Sequence, residues 1–104
     1  MQAVPRHDWI EFLDALEIEG EVTLASFLFA RPDDAPHRVG NQWTVRLADF
    51  DPFDHVIEII LDNHEVSVRL LIDDPKTVTY EGETYSPTRL LIGSNEGVVE
   101  VTAG

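Results

Sequence analysis

The sequence predicts an α+β fold: one N-terminal helix packed on a curved antiparallel sheet, or on a small β-barrel, of six to eight short strands. Three observations predict it. A helical stripe of apolar residues occurs near the N-terminus, and from Glu21 onward the apolar period falls to two. Gly, Pro, Asn and Asp then punctuate the second half at hairpin spacing. With 104 residues and 43% apolar side chains, the chain reads as a single domain, 1–104, able to build one core without cross-links. It contains no cysteine, which excludes disulfides, thiolate metal sites and a cysteine nucleophile.

The helix is placed at about 8–19. "HDWIEFLDALEIEG" sets Trp9, Phe12, Leu13 and Leu16 at i, i+3, i+4 and i+7, one buried stripe. Asp8 and Glu11 have the spacing of a capping box, and Gly20 is positioned as a C-terminal cap. "EVTLASFLFA", 21–30, is apolar on both faces and reads as a central strand. "RPDDAPHRVGNQ", 31–42, reads as a loop of the length that often carries function.

"WTVRLAD" follows as a strand with Trp43, Val45 and Leu47 on one face. Asp51-Pro52 allows a helix start, but the β-branched run Val56, Ile57, Ile59 and Ile60 favours a strand. That strand, 55–61, pairs with 65–72 across the turn "DNH". "TVTY" and "ETYS" flank Glu81–Gly82 as a second hairpin, and "TRLLIG" and "GVVEVTA" flank "SNEG" as a third.

Charge is the unusual quantity. Twenty acids face seven bases, six of them Arg and one Lys76, for a formal net charge of −13. Such a surface repels nucleic acid and anionic membranes and attracts basic proteins and cations. The basic-then-apolar pattern of a leader is not seen at the N-terminus, and no apolar run reaches the ~18 residues of a membrane span, so a soluble, cytoplasmic protein is expected.

Pairing 55–61 with 65–72 brings Asp54 beside Asp73 and Asp74, and an antiparallel 43–48 beside 55–61 adds Asp49 and Asp51 at the same end of the sheet, with Lys76 the nearby cation; Asp62 and Glu65 mark the other end. Three explanations compete. Aspartate caps turns; carboxylates bind calcium or magnesium; or the pole is a contact surface for a basic partner. The EF-hand template fails here, because Phe53, Asp54 and Ile60 stand where ligand, glycine and closing glutamate are required. A second acidic set, Glu11, Asp14 and Glu17, lies in a stretch from His7 to Arg31 without a base. On a helix its like-charged i, i+3 pairs cost about 0.2–0.5 kcal/mol each.

His7, His37, His55 and His64 lack metal-ligand spacing and read as turn residues; phosphate-loop and nucleophile motifs are missing, so an enzyme is not expected. The aromatics fall mostly on buried phases; Phe50 and Phe53, among the Asp cluster, are the exceptions, read either as exposed anchors for an Arg-rich partner or as plugs at the end of the core. The expected function is therefore a small acidic binding or inhibitor protein without a cofactor. Its partner would be a basic surface, such as a nucleic-acid-handling enzyme or toxin; immunity proteins, antitoxins and phage anti-defence proteins are of this kind. The expected contact residues are Asp49, Asp51, Phe53, Asp54, Asp73, Asp74, Glu11, Asp14 and Glu17. Two alternatives stand beside it: acidity as adaptation to high salt, and a divalent-cation-binding module.

Overall fold

The structure, a computed structural model, describes residues 1–24, 38–62, 67–95 and 97–103. A two-residue strand β1 (Gln2–Ala3) is followed by a 3-10 turn (Arg6–Asp8) and one helix, α1 (Trp9–Asp14). Seven further strands follow: β2 (Glu19–Leu24), β3 (Arg38–Asp51), β4 (Val56–Asp62), β5 (Ser67–Asp73), β6 (Pro75–Gly82), β7 (Pro87–Ser94) and β8 (Gly97–Ala103). All pairings are antiparallel, in the order β1-β6-β7-β8-β2-β3-β4-β5.

That order forces curvature. β5 and β6 stand six places apart in the ladder, which in a flat sheet is about 29 Å. Yet Asp74 alone connects them, and two Cα steps span ~7 Å at most. The sheet therefore curls until its ends approach. Among the described residues β1 and β5 do not pair, so the ladder stays open and the barrel alternative is not realised.

The inner face holds one core. Ile57, Ile59 and Leu61 of β4 meet Leu70 and Ile72 of β5, Val78 of β6, Leu90 and Ile92 of β7, and Val99 and Val101 of β8. Period-two burial runs without a break along β4. The helix closes the open side: Trp9 packs edge-on against Phe50, with ring centroids 5.0 Å apart, and Phe12 stacks on Tyr80 at 5.2 Å.

The helix is shorter than its apolar period suggests. It spans six residues, not 8–19. Leu16 is buried as expected of the stripe, and Ile18 with it, but both stand outside the helix. Tertiary bonds take that segment out of helix: Glu17 N–H donates to the Tyr85 carbonyl at 2.8 Å, and Val45 N–H to the Ile18 carbonyl at 3.1 Å. The capping box does not form. Asp8 belongs to the preceding 3-10 turn, has helical backbone angles and makes no side-chain cap. Gly20 lies within β2 instead of capping the helix.

β2 is central, between β8 and β3, as its two-faced apolarity implies. Its expected continuation to Ala30, the first part of the 31–42 loop and the residues after Asp62 up to Val66 lie outside the described residues, as do His37, His64 and Glu65. Arg38–Gln42, expected in that loop, opens the long strand β3. A register shift between Val45 and Leu47 reverses the facing of β3. Trp43 points inward, but beyond the shift Ala48 and Phe50 take the core and Leu47 turns outward. The alternation expected through Trp43, Val45 and Leu47 therefore breaks halfway.

The β4–β5 hairpin pairs Val56 with Asp73, two residues beyond the expected register and on the same faces. The expected "TVTY"/"ETYS" hairpin does not form. β6 crosses a turn at 83–86 and pairs with β7, Thr79 opposite Leu91. Gly82 makes this possible with φ +96°, a backbone angle side chains rarely adopt. β7 and β8 pair as expected, Ser94 opposite Gly97.

Candidate protein-interaction surface

Residues 52–55 form the turn between β3 and β4. One Asp51 carboxylate oxygen accepts the Phe53 N–H at 2.8 Å and the Asp54 N–H at 3.2 Å, holding the turn closed. Asp51 thus does structural work. With the backbone pinned, the Phe53 ring projects into solvent, 97% exposed. Of the two readings for Phe50 the core plug holds: it is buried against Trp9, because β3 faces inward there.

The ladder aligns the acids. Asp51, Val56 and Asp73 occupy one rung across β3, β4 and β5, and Asp49, Glu58 and Leu71 another on the same face. Asp54 stands on the turn above them, and Asp74 follows Asp73 at the end of β5. The five aspartates named from the sequence therefore share one end of the sheet, with Asp49 set back from the tip.

Lys76 is not the only cation there. Its ammonium lies 2.9 Å from Asp74, and this hydrogen-bonded contact holds the Asp74 carboxyl below its ordinary value, with Arg6 adding to the pull. Arg6 is carried in by the 3-10 turn. Its guanidinium sits 4.8 Å from the Trp9 ring centre, donates to the Pro75 carbonyl at 3.4 Å and contacts Nε2 of His55. Since arginine can only donate, His55 accepts at Nε2. The Asp74 N–H donates to the His55 carbonyl at 2.9 Å, joining the two non-glycine residues with positive φ, at 57° and 49°. His55 is therefore the partly solvated turn residue expected, and a structural junction as well.

Arg46, Arg69 and Arg89 are committed to other acids. Arg46 pairs with Asp62 at 3.2 Å, Arg69 pairs with Glu58, and Arg89 lies 2.7 Å from Glu100 and 3.7 Å from Glu81. No described basic side chain forms an ion pair with Asp49, Asp51, Asp54, Asp73, Glu11, Asp14 or Glu17.

The helical set is not a row. Glu11 borders a groove against β6, Asp14 a cleft against 45–48, and Glu17 a third recess beside Thr44 and Ser86. Sequence reading missed Asp8, Tyr80 and Tyr85 as members of the first of these. The signal was present in "ETYS", whose misreading as a strand hid Tyr85 in a presumed ladder. Among the described residues, no three His, Asp or Glu side chains converge in a way that would hold a metal ion. No described helix is long and apolar enough to cross a membrane.

Comparison with protein-family models, with curated proteins and with solved structures gives no match.

Proposed function

We propose that this chain is a small binding protein that docks the acidic end of β3–β5 onto a basic partner, with Phe53 as the anchor. The observation carrying the reading is a fully exposed aromatic ring among carboxylates that lack described counter-ions. Burying such a ring in a partner gains about 1.5–3 kcal/mol, the scale of a hot-spot contact. Asp54 and Asp73 around it select positive surfaces and speed encounter. The mechanism is occlusion: carboxylates take positions that phosphates would otherwise occupy on a nucleic-acid-handling enzyme or toxin. Inhibitors, immunity proteins, antitoxins and anti-defence proteins belong to this class.

A pull-down from host lysate at low salt tests it, comparing the wild-type chain with the triple variant Phe53→Ser, Asp54→Asn, Asp73→Asn. The expected result is a basic protein retained by the wild type, released as salt rises and missing from the variant eluate. Identical eluates from the two baits would sink the reading.

A further inference from the structure

We propose that the groove between α1 and β6 receives a single arginine side chain of the basic partner; this rests on the docking reading above and adds a second, chemically specific contact to it. The groove holds about 240 Å³ and is lined by Phe12, Tyr80 and Tyr85, with Asp8, Glu11 and Thr84 and with residues 3–5.

Four features choose the occupant. First, the volume lies below the ~300–1,000 Å³ of pockets for drug-sized ligands, which favours a side chain over a cofactor. Second, the open wall is one flat ring: Tyr85 is 44% exposed and lies 6.2 Å from Phe12 at 36°, while Phe12 and Tyr80, stacked on each other, form the buried floor. An exposed planar ring suits a guanidinium, which stacks on aromatic faces and is weakly hydrated, better than a compact ammonium. Third, the charge is one-sided. Asp8 and Glu11 line the groove, no basic residue does, and Glu11 has no described counter-ion, while Asp8 has only His7 at 3.6 Å.

Fourth, the shape is fixed before binding. The Tyr80 hydroxyl donates to Gln2 at 2.7 Å and lies 3.3 Å from Thr84, and Glu17 N–H holds the Tyr85 carbonyl at 2.8 Å. A preformed site loses little ordering entropy on binding.

The test is NMR titration of the full chain with nona-arginine, nona-lysine and nona-glutamate at low ionic strength. Nona-arginine should shift the resonances of Phe12, Tyr80, Thr84 and Tyr85. Glu11→Gln, an exposed and near-isosteric change, should weaken that response about tenfold, and Tyr85→Ala should abolish it. Folding of both variants is read from their own spectra. Shifts confined to 51–54 and 73–74 would overturn the groove and leave the docking surface standing. No shift at either place would overturn both. Equal affinity for nona-lysine in the groove would overturn the choice of arginine.

Discussion

At the scale of single residues, the acidic end of the sheet divides into side chains that build it and side chains that it presents. His55 builds. Its φ of 57° is a left-handed conformation that Asn tolerates and β-branched residues do not. His55→Val should therefore cost about 1–2 kcal/mol more than His55→Asn in urea denaturation; equal losses would show that the side-chain contacts with Arg6 and Phe50, not the backbone angle, set the stability there.

Asp74 builds as well, and its contribution has a defined sign. A carboxyl held below its ordinary value of 3.8 stabilises the fold above that pH. The stabilisation is lost as pH falls through the lowered folded value. Asp74→Asn should thus lower the melting temperature at neutral pH and flatten its acid dependence below about pH 4; unchanged acid dependence would refute the Lys76 contact as the cause. Phe53, by contrast, is presented. Phe53→Ser should leave stability within about 0.5 kcal/mol while removing partner binding.

The five aspartates could be read from hairpin spacing, because antiparallel pairing returns the chain to the same end of the sheet. Arg6 could not, since its arrival depends on β1 pairing with β6 some 75 residues later.

At the scale of elements, local pattern succeeds where neighbours in sequence are neighbours in space and fails where distant contacts decide. The β4–β5 and β7–β8 hairpins were legible for the first reason. The helix was misjudged for the second: its apolar stripe is real, but hydrogen bonds from β3 and the 83–86 turn claim the residues after Ala15. The bulge in β3 was also hidden, since a register shift leaves alternation intact on each side.

What the short helix lacks in length it supplies in packing, Leu13 being 1% exposed. Leu13→Ala should cost about 2–5 kcal/mol by chemical denaturation, and a smaller loss would mean the helix is peripheral to the fold. The β6–β7 connection depends on Gly82, where an added Cβ would stand 2.8 Å from the Thr88 backbone nitrogen. Gly82→Ala should destabilise by more than about 1 kcal/mol through that clash and the positive φ.

At the scale of the whole molecule, the question is whether a net charge of −13 serves a partner or a saline solvent. The two explanations place different demands on the fold. A domain adapted to molar salt relies on counter-ions to offset self-repulsion and loses its structure when they are removed. Here the described core gathers twenty buried apolar residues in one cluster, and no described buried side-chain polar atom lacks a partner. Among the described side chains, Arg46, Arg69, Arg89 and Lys76 each pair with acids and Arg6 lies over the Trp9 ring, and the acids left without an ion pair are Glu83, four aspartates of the 49–54 and 73–74 segments, and Glu11, Asp14 and Glu17 on and after the short helix. A core of that completeness should hold in dilute buffer. Circular dichroism from about 10 mM to 2 M salt should show a folded chain throughout, with a melting temperature that rises gently as repulsion is screened at the ~30 Å to below 3 Å range of screening lengths. Partner capture should move the opposite way and fall steeply over the first few hundred millimolar. Unfolding on dilution into low salt would reverse the assignment, because the acids would then be holding the protein in its solvent and not advertising it to a partner.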